Sequence, residues 1–167
     1  MDENIARGIV SRLKENGLRV CFAESCTGGL CSAAITSIGG SSEVFDFGAV
    51  TYSNEMKEKL LGVEHDTLVR YGAVSRQTAE QMARGIAAFS GAQIGVGVTG
   101  IAGPGSDGTD KPVGLIYIGI RTADGYERVV ELRNSFTCDV RERNRASAVD
   151  AAFSLIGEYL NHRESEK

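Results

Sequence analysis

With 167 residues, 42% of them hydrophobic and 24% charged, the chain has the length and composition of one globular domain with its own core. Its net charge of -4 excludes a general basic surface for nucleic acid, and no apolar run approaches the roughly 20 residues that span a bilayer. Four cysteines without a C-x-x-C pair and two distant histidines argue against a zinc site, whereas reduced thiols and the lack of a signal-peptide pattern predict a cytoplasmic protein.

The spacing of apolar residues predicts helices that alternate with strands. Ile5, Ile9 and Leu13 fall on one face of a first helix, whereas Ala92–Val98 alternates apolar residues with glycines that would let a helix approach closely. Ala123-Asp124-Gly125 predicts a hairpin turn that leads into a polar edge strand. The predicted helices are Asp2–Asn16, a stretch ending at Ile38, Asn54–Leu61, Asp66–Tyr71, Ser75–Phe89 and Asp139–Leu160, and the predicted strands are Leu18–Ala23, Phe45–Tyr52, Ala92–Val98, Val113–Arg121 and Tyr126–Arg133.

This order of elements predicts an α/β protein. Helices can cover both faces of such a sheet, which gives a three-layer α/β/α sandwich. Because the hairpin reverses the chain within the sheet, we expect a mixed sheet and not a purely parallel one. A single domain should cover residues 1–161, followed by a polar, frayed tail over residues 162–167.

The motif Glu24-Ser25-Cys26-Thr27-Gly28-Gly29 lies between a strand and a helix, at the edge of the sheet where open α/β proteins bind ligands. The helix start offers free backbone N–H groups that could receive an oxyanion, so Ser25 could act as a nucleophile. Alternatively, Ser25 or Thr27 only caps the helix. Cys26 is a rival nucleophile, because the helix start would lower the pKa of its thiol, although neither histidine lies in a convincing site motif. The remaining cysteines are interpreted as packing residues: Cys21, Cys31 and Cys138.

A tyrosine and a lysine follow the second predicted strand. Tyr52 ends this strand, and Lys57 lies in the first turn of the next helix, which begins at a Ser53 or Asn54 cap. The helix dipole opposes a cation at that position and favours the neutral amine, which is a competent base for a serine. The alternative is a solvated surface lysine beside a packed tyrosine.

Two further features could bind a phosphate. The glycine-rich loop Gly100–Pro112 follows a strand and could cradle the anion with backbone N–H groups, although it is neither a Walker A loop nor a dinucleotide fingerprint. The alternative is a flexible surface loop, but connections of this length are more often functional. Arg141 and Arg145 share one face of the last helix and could clamp a phosphate or carboxylate, or they could pair with Glu142 or Asp139 at the surface.

Five segments in order carry a resemblance to a known family: Ala23–Gly29, Val50–Asn54 with Lys57, Tyr71–Ser75, Thr99–Pro104 and Lys111–Gly114. Over about residues 5–160, the sequence resembles the CinA carboxy-terminal domain family, which includes nicotinamide mononucleotide deamidases of the PncC type. One departure lies before the last helix, where the family usually reads Gly-Asp-Arg and this chain reads Cys138-Asp139-Val140-Arg141. Both arginines match the family pattern only if one residue is inserted.

The resemblance implies a three-layer α/β/α fold and hydrolysis of nicotinamide mononucleotide to nicotinate mononucleotide and ammonia, without a metal or other cofactor. It also implies a homodimer with a small-molecule nucleotide substrate, and no nucleic-acid or membrane partner is expected. The family's catalytic serine, tyrosine and lysine correspond to Ser25, Tyr52 and Lys57. The residues expected to bind substrate are Cys26, Thr27, Gly28, Gly29, Asn54, Gly100, Ala102, Gly103, Arg141 and Arg145.

In the mechanism that we expect, neutral Lys57 removes the proton from Ser25, and Tyr52 either orients Lys57 or relays the proton to the departing ammonia. The 5′-phosphate would bind the loop Gly100–Gly105 with help from Arg141 or Arg145. Two alternatives stay open, namely a nucleotide-binding or regulatory module without turnover and an amidase for a different nucleotide amide. No residue pattern supports the role in competence or DNA damage that the family's historical name suggests.

Overall fold

The computed structural model of the protein describes residues 3–166, so Asp2 of the predicted first helix lies outside the described residues. Its helices and strands follow the predicted order. The helices are α1 (Glu3–Glu15), α2 (Leu30–Thr36), α3 (Asn54–Leu61), α4 (His65–Tyr71), α5 (Arg76–Ser90) and α6 (Val140–Ser165). The strands are β1 (Val20–Glu24), β2 (Phe45–Val50), β3 (Ile94–Gly100), β4 (Leu115–Thr122) and β5 (Glu127–Arg133), and a short 3-10 turn covers Ser41–Glu43.

The strands form a mixed sheet in the order β2-β1-β3-β4-β5. Strand β1 pairs in parallel with both β2 and β3, whereas β4 pairs antiparallel with β3 and with β5. The polar strand β5 lies at one edge of the sheet, as its sequence predicts. Since β1, β2 and β3 run in the same direction, the loops that follow them meet at one edge.

Helices cover both faces of this sheet, which confirms the predicted α/β class. Alternate residues of β1 are buried on opposite faces. Val20 and Phe22 pack with α1, α2 and α6, and the ring of Phe22 stacks on Phe153 at 6.0 Å between centroids. Cys21 and Ala23 pack on the other face with residues of α3, α4 and α5. None of the helices within residues 3–166 is both long and apolar enough to cross a bilayer.

Glycines in β3 allow α5 to approach the sheet closely. A Cβ atom built on Gly95 would lie 2.2 Å from the carbonyl oxygen of Ala83, and one on Gly97 would lie 2.6 Å from that of Ala79. These distances confirm the close helix approach that the alternating glycines predict. Gly119 on the neighbouring strand β4 makes the same kind of approach, with a Cβ position 2.6 Å from the oxygen of Ala79.

Helix α6 is longer than its sequence pattern predicts. It continues to Ser165, whereas the apolar periodicity ends at Leu160 and predicts a frayed tail after it. Side chains of the added turn have partners on other elements. Arg163 Nη1 contacts Asp124 Oδ2 at 3.1 Å, and the carboxylate of Glu164 contacts Arg12 Nη2 at 2.9 Å. Polar contacts with distant residues thus extend the helix. The periodicity of apolar residues does not predict such contacts.

The connection from β1 to α2 is held by the buried side chain of Glu24. Its carboxylate accepts hydrogen bonds from the backbone N–H groups of Gly29, Cys31 and Ser32 at 2.9 to 3.0 Å and from the Ser32 hydroxyl at 2.8 Å. These donors include N–H groups that the first turn of a helix leaves unpaired. Glu24, and neither Ser25 nor Thr27, therefore caps α2, which leaves the Ser25 hydroxyl available for another role.

Replacing Glu24 with glutamine should destabilise the protein more than the loss of a surface charge does. A glutamine offers one acceptor oxygen and an NH₂ group, so some of the donors around Glu24 would face another donor, at a cost of about 1–3 kcal/mol for each unpaired group. A chain of this size loses roughly 2–4 °C of melting temperature per kcal/mol, so we expect E24Q to melt several degrees lower.

Thermal unfolding followed by circular dichroism measures this difference. The matched control is E15Q, because Glu15 is exposed on α1 and a glutamine there can still accept the hydrogen bond from the Ser11 hydroxyl. Equal melting temperatures for E24Q and E15Q would mean that the carboxylate of Glu24 does not hold the turn.

Candidate functional site

The structure brings together Ser25 and Lys57, two of the three predicted catalytic residues. Ser25 follows β1 at the edge of the sheet, and Lys57 points inward from α3, which begins after the Ser53 cap. Lys57 Nζ lies 3.2 Å from Ser25 Oγ. Lys57 is 1% exposed and Ser25 is 9% exposed, so Lys57 is not the solvated surface lysine of the alternative interpretation.

The amine of Lys57 has three hydrogen-bond partners. Besides Ser25 Oγ, it donates to the carbonyl oxygens of Thr51 at 2.9 Å and Tyr52 at 3.3 Å. Neither carbonyl carries a formal charge that would hold the amine protonated. Burial lowers the pKa of Lys57 to about 8, and the nearby Cys26 opposes this shift. The sequence predicted a neutral amine from the helix dipole, whereas the dominant cause in the structure is burial.

Two backbone N–H groups beside Ser25 are available for a ligand. The neighbouring N–H groups are paired, because Ser25 N–H donates to the Val98 oxygen at 3.0 Å and Gly28 N–H donates to the Ser25 oxygen at 3.1 Å. Within residues 3–166, the N–H groups of Cys26 and Thr27 donate to no other residue. They are the groups expected to receive an oxyanion.

Cys26 does not have the properties of a nucleophile. Its side chain is buried, and this burial raises the pKa of the thiol to about 12. Burial outweighs the lowering of this pKa by the backbone N–H of Cys26, contrary to the interpretation of the sequence, and the thiol is therefore protonated near neutral pH. Cys21 and Cys31 are buried as expected, but Cys138 is exposed and so is not a packing residue.

Tyr52 contacts the amine of Lys57 through its backbone and not through its side chain. Its carbonyl oxygen accepts the hydrogen bond from Lys57, whereas its side chain is 63% exposed. The phenolic oxygen instead accepts a hydrogen bond of 3.4 Å from Arg141 Nη2. An orienting role toward Lys57 therefore falls to the Tyr52 carbonyl, and the exposed phenol lies beside Arg141.

The two arginines of α6 contact different parts of the site. Arg145 donates from Nε to the Cys26 oxygen at 3.2 Å and from Nη2 to the Thr27 oxygen at 2.8 Å. Arg141 donates from Nη1 to the Gly103 oxygen at 2.9 Å, and its side chain is exposed to solvent. Among the described residues, neither arginine forms an ion pair with Glu142 or Asp139.

The glycine-rich loop is tied to α6 through its carbonyl oxygens. The Ala102 oxygen accepts a hydrogen bond of 3.0 Å from Asn144 Nδ2, next to the contact between Gly103 and Arg141. Gly100 is the last residue of β3 and reaches the same edge of the sheet as Ser25. Asn54, expected to bind substrate, is exposed at the start of α3.

Sequence reasoning missed two residues that build the site, Glu24 and Asn144. The available signal for Glu24 was an acidic residue at the end of an apolar strand, in a segment that continues to Gly28 and Gly29. Asn144 lies between Arg141 and Arg145 in sequence and is fully buried. The pattern of apolar residues in the helix does not predict this burial. No group of His, Cys, Asp or Glu side chains within the described chain is arranged to hold a metal ion.

A groove of about 820 Å³ adjoins the site without including Ser25. It lies among α1, α2 and α6, and its lining includes Arg141 and Arg145. Small apolar side chains of α2 and α6 form much of its surface, among them Ala33, Ala34 and Ala146. Both arginines therefore face this groove on one side and the loops around Ser25 on the other.

Comparison with known proteins identifies the family of this chain. A family model described as the CinA C-terminal domain matches residues 2–160. The nicotinamide-nucleotide amidohydrolase PncC of Enterobacter agglomerans is 49% identical over 147 residues, which are 88% of this chain and 87% of that protein. The competence/damage inducible protein CihA of Agrobacterium tumefaciens has a solved structure with a TM-score of 0.89 and 45% identity, covering 95% of this chain and 94% of that one.

Other relatives are considerably longer. A CinA-like protein of Chlorobium phaeobacteroides is 43% identical over 97% of this chain, which spans 38% of that protein's length. The chain spans 29% to 39% of the length of further curated relatives. The match of the family model over residues 2–160 and the identity to PncC nonetheless cover nearly the whole sequence. This chain belongs to the CinA C-terminal domain family.

Proposed function

We propose that this chain is an amidohydrolase that converts nicotinamide mononucleotide to nicotinate mononucleotide and ammonia, with Ser25 as nucleophile and Lys57 as general base. The observation that carries the proposal is the distance of 3.2 Å between the buried amine of Lys57 and the hydroxyl of Ser25. A base within hydrogen-bond reach of a hydroxyl is the arrangement that activates a serine. The name of the PncC relative, with 49% identity, supports the choice of substrate.

Neutral Lys57 accepts the proton of Ser25 while Ser25 Oγ attacks the carboxamide carbon. The lone pair of the amine then faces Ser25, because its two N–H bonds are directed to the Thr51 and Tyr52 oxygens. The N–H groups of Cys26 and Thr27 stabilise the oxyanion. Lys57 returns the proton to the departing nitrogen, which leaves as ammonia, and water activated by Lys57 hydrolyses the acyl-enzyme.

The exposed arginine binds the charged end of the substrate in this proposal. Arg141 uses Nη1 for Gly103 and contacts the Tyr52 phenol only at 3.4 Å, so it retains N–H donors for a phosphate. The phenol of Tyr52 lies beside that arginine and contributes to substrate binding there. Arg145 already donates hydrogen bonds from Nε and Nη2 to the turn after Ser25, so it has fewer N–H groups than Arg141 to offer a phosphate.

Ser25 and Cys26 can be separated by single substitutions. We expect S25A to lower the rate of ammonia release from nicotinamide mononucleotide by at least about 10³-fold, because it removes the atom that attacks the amide. C26A should retain most of the wild-type rate, since a protonated, buried thiol is not a nucleophile.

A coupled assay for ammonia gives both rates, with wild type measured alongside. Activity that survives in S25A and disappears in C26A would assign the nucleophile to the cysteine. A wild-type protein that binds the mononucleotide without releasing ammonia would be a nucleotide-binding module.

Removal of the base should strongly reduce turnover while the protein stays folded. We expect K57M to lower kcat by about 10² to 10⁴-fold, the contribution of a positioned general base. Methionine fills the buried space without a charge, and this gain offsets the loss of the donor to the Thr51 and Tyr52 oxygens, so the melting temperature near neutral pH should stay close to that of wild type. The matched control is K59M, which changes an exposed lysine of the same helix. A K57M protein with the turnover of K59M would exclude Lys57 as the base.

The pH dependence of the wild-type enzyme tests the same residue. A base acts when it is deprotonated, and the pKa of Lys57 is about 8. We therefore expect kcat/KM to rise about tenfold per pH unit below this value and to level off above it. Initial rates across the neutral to alkaline range provide the profile. A profile that is flat across this range would contradict a lysine base with a pKa near 8.

A further inference from the structure

We propose that Arg145 is a positioning residue that orients the Cys26–Thr27 peptide, so that the Thr27 N–H can donate to the oxyanion. This inference rests on the proposed amidohydrolase function for its catalytic meaning. It assigns to Arg145 a role that differs from the binding of the substrate phosphate. It rests on the hydrogen bonds around the three peptide units that follow Ser25.

The carbonyl and the N–H of one trans peptide unit point in opposite directions. Arg145 Nε holds the Cys26 oxygen at 3.2 Å on the side of α6, so the N–H of Thr27 is directed away from α6. That N–H donates to no other residue in the described part of the chain. The arginine thus fixes one end of a peptide unit and leaves the other end free for a ligand.

The next peptide unit is fixed at both ends. Arg145 Nη2 holds the Thr27 oxygen at 2.8 Å, and the N–H of Gly28 donates to the Ser25 oxygen at 3.1 Å. The Nε and Nη2 donors belong to one planar guanidinium and match two successive carbonyl oxygens. A single rigid group therefore sets the orientation of both peptide units.

The turn needs this restraint because its other anchor does not reach these peptides. The Glu24 carboxylate binds N–H groups from Gly29 onward and contacts neither Cys26 nor Thr27. Gly28 and Gly29 have φ values of 60° and 99°, and glycine allows the chain to leave such conformations easily. Without Arg145, the Cys26–Thr27 peptide could turn its carbonyl oxygen toward the substrate, where it would repel the oxyanion.

The two arginines of α6 should therefore have different kinetic effects. We expect R145A to lower kcat by about 10² to 10³-fold, the loss associated with one oxyanion donor, with little change in KM. R145K should remain close to R145A, because one ammonium group cannot hold two carbonyl oxygens in the fork geometry of a guanidinium. R141A should mainly raise KM, since Arg141 contacts Gly103 and Tyr52 and does not touch the turn.

The matched control on the same helix is R143A. Arg143 is exposed and packs over the ring of Phe136 at 4.1 Å, so its removal takes one positive charge from α6 without touching the site. We expect wild-type kcat and KM for R143A. Wild-type kcat with a raised KM in R145A, or restored kcat in R145K, would overturn the inference in favour of charge attraction to the phosphate.

A structural measurement tests the inference without turnover. Crystal structures of wild type, R145A and R145K should show the Cys26–Thr27 peptide rotated in both variants and unchanged in R143A. An unrotated peptide in both Arg145 variants would overturn the proposed positioning role. If wild type released no ammonia, the proposed function would fail, but the peptide orientation would still decide whether Arg145 positions the turn.

Discussion

The burial of the Lys57 amine is the constraint around which the site is built. An ammonium group has three N–H donors, and the structure gives it three acceptors: the Ser25 hydroxyl and the carbonyl oxygens of Thr51 and Tyr52. A neutral amine fits the same partners, because it keeps two donors for the carbonyls and directs its lone pair at the serine. The surroundings therefore accommodate both protonation states that Lys57 would pass through as the proposed general base. A carboxylate in place of either carbonyl would hold the proton on the amine and prevent that cycle.

The parallel part of the sheet makes this arrangement possible. Ser25 follows β1, Thr51 and Tyr52 follow β2, and the glycine-rich loop follows β3, so all of them reach the same edge. Lys57 reaches the same edge because it lies in the first turn of α3, shortly after the end of β2. Arginines of α6 reach the edge from another layer, which joins the last element of the chain to the first strand. Arg145 thus contacts a turn that lies more than a hundred positions earlier in the chain.

The sequence predicts the local parts of this design more fully than the long-range parts. Strand and helix order, the close approach at Gly95 and Gly97, and the pairing of Ser25 with Lys57 all follow from spacing or from family resemblance. The cause of the lowered pKa of Lys57 does not, because burial depends on residues from several elements. The pKa of Cys26 was expected to move in the wrong direction for the same reason: the helix start is visible in the sequence, and desolvation is not. The contacts of Arg145 with two carbonyl oxygens cannot be derived from a pair of arginines four residues apart.

The two charged anchors of the turn divide its polar groups between them. The Glu24 carboxylate takes backbone N–H groups at the start of α2, and the Arg145 guanidinium takes the carbonyl oxygens of Cys26 and Thr27. Buried backbone groups are almost always paired, so an unpaired N–H in a buried turn costs free energy. After both anchors are counted, the N–H groups of Cys26 and Thr27 have no partner among residues 3–166, and both residues are 5% exposed or less. In the proposed mechanism, such groups beside the Ser25 hydroxyl recover that free energy when an oxyanion forms, and this favours the transition state over the bound substrate.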